Sequence, residues 1–540
     1  MLIGVALITT ASCSDPDDEI TTTTFDRLLK PSDLELKIYD KTNIKAKMDF
    51  VNVPDYLDIL IEVNDNPLSE EKNYKEFRSM TLQPRDYLGS TVDATLSDPY
   101  MHATFIDSIR NLSYFKDYRV SFVARNADGK VSKESTDVAT TDGVFKESSD
   151  DDRTNTSLTV KWPSDIAVTK IRTMKMNGDT EELVSEDAIE DATKGKFTKT
   201  GLDPNTEYVF YIYNGEDCQG RTSITTFPNY VEYLAQDGFD LQNAINNVTD
   251  GYAIMLSPDG DNNVFNLAAS NITINNTVHI MARNTKPVTV NNVAFDLVGS
   301  TGLTIENIKC IDSEKKRVFL KFTNPTSGNY IISNVEIEGY KNFAQDPGSN
   351  ATEVALLEVK NCFMHNGISG RWMDFQKKMC WIHKINIIQS TFAEICSKQD
   401  FIRYDYYADK MPDLITLDHC SFYKVNAASK GIMYVRSRDA NTKDFSAEIK
   451  NCVFESCKDA EGVYFSEAEQ TNGLSFTKNY YKDSDKLLEA FKIGQVAYDP
   501  SPSTYTGTTA FKNPSKNDFT ISNSTLVNAE VGNTDFVVKE

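Results

Sequence analysis

The chain has 540 residues, a quarter of them charged, and a formal net charge of −23. That length exceeds what one hydrophobic core serves, so two to four domains are expected. The negative balance argues against nucleic acid and against charge-driven docking on anionic lipid, and it opposes an anionic polysaccharide unless positive charge gathers locally.

Aromatic content is 11%, with 29 Phe and 25 Tyr, which suits β structure. The nine Cys show no zinc-ligand spacing and the five His no HExxH motif. Cys310, Cys362, Cys420 and Cys452 instead read as small buried apolar residues.

Residues 2–10 form an apolar run too short to span a bilayer. Thr10-Ala11-Ser12-Cys13 follows, then the acidic Ser14-Asp15-Pro16-Asp17-Asp18-Glu19. This resembles a bacterial lipobox, departing from it at Thr10, where Leu is usual. The resemblance implies cleavage before Cys13 and lipid on that residue. The acidic run resembles the export tag of Gram-negative surface lipoproteins. No Lys or Arg precedes the apolar run, so the signal segment is expected to begin upstream of Met1. Residues 1–13 are then a signal segment and 14–30 a polar tether. The expected location is the outer membrane, facing outward, with lipid as the only membrane attachment.

Residues 31–142 and 143–228 carry strand and turn signals without helical periodicity. In the second stretch Leu158, Val160 and Trp162 alternate onto one face, and GLDPNTEYVFYIYN (201–214) leads to a closing strand at 222–227. Leu202 stands six residues before Tyr208; in the first stretch Leu112 stands six before Tyr118. These features resemble fibronectin type III sandwiches, and such modules act most often as spacers. A polar insert, 64–99, interrupts the first, and Cys218 has no obvious partner.

After Pro228 the pattern changes. Asp240 caps a predicted helix with apolar positions Leu241, Ala244, Ile245 and Val248. Coils follow at 272–278 and 288–297. Then a phrase recurs: LTIENIKC (303–310), IISNVEI (331–337), LEVKNCF (357–363), INIIQSTF (385–392), ITLDHCSF (415–422), AEIKNCVF (447–454) and SFTKNYY (475–481). The last residues of successive phrases lie 26 to 32 apart, too close for a crossover helix in every repeat. Recurring strands at this period signal a solenoid, which buries its apolar residues between successive coils. Phe363, Phe392, Phe422 and Phe454 are expected to form one interior ladder. Asn307, Asn334, Asn361 and Asn451 are expected to turn corners and bond to one another. The opening LQNAINNVTDGYAIMLSPDG (241–260) and the tail FKNPSKNDFTISNSTLVNAEVG (511–532) resemble pectin-lyase-like β-helices, over 230–536. The expected fold is all-β: two fibronectin type III-like sandwiches, then a right-handed parallel β-helix over 229–540 with a capping helix.

A second strand is expected in each coil, at 317–322, 370–375, 400–405, 431–438 and 462–466. Three of these hold charge: Arg371 and Asp374; Arg403 and Asp405; Arg436, Arg438 and Asp439. Residues 366–440 contain eleven Lys plus Arg against eight Asp plus Glu, a local +3. Trp372, Trp381, Phe375, Tyr404, Tyr406 and Tyr407 share the window. Aromatic plates beside guanidinium forks suit a sugar acid, so Arg371, Trp372, Arg403, Tyr404, Arg436 and Arg438 are the candidate glycan-binding residues. The alternative is that Arg and Asp pair across coils and the aromatics cover the coil beneath.

The whole arrangement resembles surface lipoproteins of glycan-using Gram-negative bacteria, a group linked to pectin utilisation. It implies a surface-anchored binder of an acidic polysaccharide, with outer-membrane glycan-uptake proteins as partners and no required cofactor. Two other readings stay open. One is a polysaccharide lyase, with Arg403 or Lys398 as base and calcium on Asp374, Asp400 and Asp405. The other is an adhesive scaffold without a sugar site. On the sugar readings, Arg403→Ala is expected to weaken binding with little effect on stability.

Overall fold

The computed structural model describes residues 28–536, apart from 90–94, 98–102, 349–350, 368–369, 398, 407–411, 426–429, 438–445, 467–472, 489–494, 498, 500–501, 506–508 and 535. The chain divides into two compact units. One comprises 1–147, 160–197 and 207–224; the other comprises 148–159, 198–206 and 225–540. No helix among the described residues is long and apolar enough to cross a membrane.

The first sandwich consists of two antiparallel four-stranded sheets. One orders Ser32–Asp40, Asn43–Phe50, Ala103–Ile109 and Thr95–Leu96; the other orders Lys75–Leu82, Tyr56–Asn64, Asp117–Arg125 and Ser135–Thr140. Period-two alternation sends Ile44, Ala46 and Met48 inward to meet Leu57, Ile59, Ile61, Phe105, Val120 and Phe122 in one core. Tyr118 is fully buried, and its hydroxyl accepts the Ser113 N–H at 2.8 Å, pinning the corner that Leu112 and Tyr118 marked in the sequence. The polar insert is not structureless: Lys75–Leu82 pairs along Tyr56–Asn64. Its polar face hid it from a pattern search.

In the second sandwich the strands order as Thr180–Ala188, Lys170–Asn177, Glu207–Asn214 and Asp217–Thr225, with Ser157–Lys161 beside Lys196–Thr200. Leu158, Val160 and Trp162 are all fully buried, and the indole N–H donates to the Ala192 carbonyl at 3.1 Å. Cys218 is a free thiol.

From Tyr230 onward the chain winds as a parallel β-solenoid with three sheets, of ten, eleven and nine strands. The helix Leu241–Asn247 begins on Asp240, whose carboxylate accepts the Asn243 N–H, and it buries Leu241, Ala244 and Ile245 over the open first coil. Each coil visits the three sheets in turn, as in Gly302–Glu306, Ile308–Ile311 and Val318–Asn324. Two strands per coil are expected from the sequence, and the structure has three. The recurring phrase is in fact two strands, broken at a left-handed corner.

That corner explains the asparagines. Asn307, Asn334, Asn361 and Asn451 have φ of 60°, 54°, 53° and 54°, a region Asn tolerates better than most residues. Asn334 Nδ2 donates to Asn307 Oδ1 at 2.7 Å, as an asparagine ladder requires. Gln389 and His419 hold the corners after Asn361, at φ 47° and 51°, and Asn451 Nδ2 donates to Asp418 Oδ1. A second column of left-handed corners runs through Asn366, Glu394, Lys424 and Ser456, at φ between 50° and 57°. Gly339 occupies the same place at φ 83°, where a Cβ would stand 2.4 Å from the Asp312 carbonyl oxygen.

The expected interior ladder forms through Phe392, Phe422 and Phe454, and only its first rung differs. Met364, and not Phe363, stands opposite Phe392. Phe392 stacks on Phe422 at 5.2 Å, Phe422 on Phe454 at 4.7 Å and Phe454 on Tyr481 at 5.2 Å. Phe363 faces outward, against Phe519 and Phe536 of the C-terminal tail. A one-residue shift in a strand flips the side chain to the other face. The tail lies over the outer face of the second sheet, its Phe511, Phe519, Leu526 and Val531 clustering with Phe363, Ala393 and Val453. The growing sheet edge is closed by Gln495–Ala497, which pairs antiparallel to Ala460–Ser466.

Candidate functional site

The third sheet carries the predicted charged strands at Met373–Lys378, Ile402–Tyr406 and Lys430–Ser437. Parallel register places Asp374 opposite Arg403 and Arg403 opposite Tyr434 in one outward column. Asp405 stands opposite Arg436 in the next. Met373, Phe375, Ile402, Tyr404, Met433 and Val435 fill the alternate, interior positions.

That alternation corrects two of the candidates. Trp372 and Tyr404 are fully buried and offer no face to a sugar. Trp372 stacks between Phe343 and Phe401, at centroid distances of 4.6 and 4.8 Å. Tyr404 stacks on Phe375 and donates its hydroxyl to the Cys380 carbonyl at 2.7 Å. Local clustering of aromatics in the sequence reported core packing at this level of the coil. Of the three Trp, Trp381 is the one partly exposed; Trp162 and Trp372 are interior. The alternation of the strand Cys380–Ile388 was the signal that would have found it, since it sends Cys380 and Ile382 inward and Trp381 outward.

Two arginines share three aspartates. Arg403 grips Asp405 through two parallel bonds, Nε to Oδ1 at 3.0 Å and Nη2 to Oδ2 at 2.9 Å, and its guanidinium lies 3.9 Å from the Tyr434 ring centroid. Arg371 is held more loosely, by Asp400 at 3.3 Å and by Asp374 at 3.5 Å. Asp400 is wholly buried and Asp374 and Asp405 nearly so. Burial alone would lower the Arg403 pKa, but the Asp405 carboxylate outweighs it and holds the guanidinium above its ordinary range. A base for proton abstraction needs the opposite shift. The three aspartates predicted to hold calcium face guanidinium groups, so their oxygens do not form the free hard-oxygen cage that calcium takes. At the corner between the third and first sheets, burial raises the Asp346 carboxyl, which accepts the backbone N–H groups of Gly348, Met379 and Cys380 and so shapes the turn.

The side chain of Arg436 lies outside the described residues, as do Lys398, Arg438 and Cys13 altogether. Elsewhere, Glu336, Glu338 and His365 bring ligand atoms within 4.8 Å of one another. The Lys309 ammonium already lies 2.6 Å from Glu336 and 3.2 Å from Glu338, in the place a cation would take.

Residues 415–534 match a family described as "Domain of unknown function (DUF5123)". The match covers the last coils and the tail that packs on them. No curated protein matches the chain. Among solved structures, the chain is similar to a two fibronectin type-III domain segment of chicken tenascin, at 22% identity over 36% of this chain and 99% of that one, with a TM-score of 0.19. It is also similar to the FN1–FN3 domains of chicken CNTN1, at 14% identity over 37% of this chain and 67% of that one, with a TM-score of 0.14. Scores this low leave the sandwich assignment resting on the strands themselves.

Proposed function

We propose that the chain is a polysaccharide-binding protein that holds an acidic, pectin-like glycan along the outward face of its third sheet. Lipid on Cys13 would tether it to the outer membrane, where it would take part in glycan capture with uptake proteins. Arg371 carries this reading. It is a mostly buried guanidinium, placed by the coil, whose two hydrogen bonds are long at 3.3 and 3.5 Å. A glycan carboxylate offering two bonds near the charge-assisted length of about 2.8 Å competes well against such contacts. The outward columns repeat once per coil, and a repeating polymer matches a repeating surface. Arg403, clamped on Asp405, orders the surface beside Tyr434. Its raised pKa also favours binding over β-elimination on this face.

Affinity electrophoresis through polygalacturonate tests the proposal. The full chain is expected to be slowed without calcium, and Arg371→Ala to weaken the interaction about tenfold, the worth of one charge-assisted pair. Absence of slowing would overturn the acidic-glycan reading. Growth of ultraviolet absorbance from unsaturated product would replace it with the lyase. For the tether, Cys13→Ala is expected to abolish labelling with radioactive fatty acid and to move the protein out of the membrane fraction.

A further inference from the structure

The strand Cys380–Ile388 enters the first sheet directly after the third-sheet strand Met373–Lys378 of the same coil. Its outward residues Trp381 and His383 lie against each other, ring centroids 3.8 Å apart. Trp381 packs partly on the solenoid core and leaves the rest of its indole at the surface. His383 bridges the two neighbouring coils. Its Nε2 lies 2.8 Å from Glu353 Oε1, on the preceding rung, and its Nδ1 lies 3.0 Å from Asp413 Oδ2, on the following one. Both ring nitrogens therefore face carboxylates, which only an imidazolium satisfies with two donated hydrogens. The carboxylates themselves are half exposed, at 50% and 56%, and each gives His383 one oxygen. The second oxygens hold no hydrogen bond among the described residues and are pure acceptors.

We infer that Trp381, Glu353 and Asp413 form a binding site for a neutral sugar residue, the apolar sugar face on the indole and its hydroxyls donating to the two carboxylates. A cross-coil ion bridge by itself explains Glu353, His383 and Asp413. It does not explain an indole left at the surface beside them, where its apolar area stays in water at a cost of about 25 cal/mol per Å². Among the described residues Glu353 and Asp413 pair with His383 and with no guanidinium, so the site offers hydroxyls carboxylate acceptors and offers a uronate no bidentate donor. This inference rests on the polysaccharide-binding reading and narrows it. The polymer carries neutral residues as well as acidic ones, and the neutral residues are read at the start of the strand Cys380–Ile388.

Affinity electrophoresis of the full chain in separate gels of β-1,4-galactan, arabinan, β-glucan and polygalacturonate tests it. Slowing is expected in at least one neutral gel. Trp381→Ala and the double variant Glu353→Gln/Asp413→Asn are each expected to weaken that binding about tenfold or more, as loss of an aromatic anchor does, and to leave polygalacturonate unaffected. The double variant removes only half-exposed oxygens, so it decides the matter if Trp381→Ala fails to fold. Slowing in polygalacturonate alone, or neutral binding indifferent to both variants, overturns the inference and leaves the acidic reading standing. Slowing in a neutral gel alone upholds this site and sinks the acidic reading; slowing in no gel sinks both.

Discussion

Arg403 shows how a residue's partners decide its role. In the sequence it reads as a ligand-binding cation. In the fold it is bidentate on Asp405 and neighbours the wholly buried Asp400. Removing one member of such a buried set strands the others, so Arg403→Ala is expected to destabilise the chain by about 3 kcal/mol. Arg371→Ala, with its longer bonds, is expected to cost less. Thermal melts of the two variants check the order, and equal losses would mean that Arg371 is equally structural. His383 offers a pH test. Burial opposes its charge, but the hydrogen bonds to Glu353 and Asp413 outweigh that and raise its pKa. Its stabilising contribution is therefore full below the ordinary imidazole pKa and is lost as pH rises through the raised value. NMR titration is expected to find it above the ordinary value and to see it fall in Glu353→Gln.

At the scale of the element, the solenoid's two faces separate two kinds of phenylalanine. Phe422 is stacked on both sides inside the coils, and Phe422→Ala is expected to cost about 3–5 kcal/mol. Phe363, one register away, holds the tail, so Phe363→Ala is expected to loosen that tail while the coils stay wound. The tail has a polar anchor as well. Buried Glu455 accepts the Tyr505 hydroxyl at 2.7 Å, Thr509 Oγ1 at 2.8 Å and the Ala510 N–H at 2.6 Å. Glu455→Ala leaves these donors buried without a partner, at about 1–3 kcal/mol for each group. Limited proteolysis is expected to cut this variant after residue 500 well before wild type. Equal cutting rates would mean that the apolar contacts alone hold the tail.

Across the whole molecule the net charge of −23 opposes any polyanion, and Arg371 and Arg403 are already matched by aspartates. With these pairs formed, the long-range repulsion is expected to be strongest when the Debye length is about 30 Å, at 0.01 M salt. Polygalacturonate is therefore expected to associate faster as salt rises toward 0.15 M, whereas a neutral polymer is expected to show no such dependence. Stopped-flow or surface-binding rates at the two ionic strengths distinguish them. A fall in rate with salt would point to an unshielded basic patch.

The repeat spacing, the Asn corners, the Asp240 cap and the Leu-to-Tyr interval before each sandwich corner were legible because each is a local preference. Backbone conformation and period-two alternation are written into neighbouring residues. What escaped is what depends on register. Phe363 and Phe392 end similar phrases, yet one faces solvent-side packing and the other the core, because one phrase is a residue shorter after its corner. Trp372 and Trp381 stand nine positions apart in one coil; alternation turns Trp381 outward, whereas Trp372 is buried by rings from the neighbouring coils. Partners from other coils, 29 or 30 residues away, likewise turn Arg371 and His383 into members of bonded sets. Alternation along a strand can be read from the sequence; which strand lies beside it, and in what register, is decided by the cooperative packing of the folded solenoid.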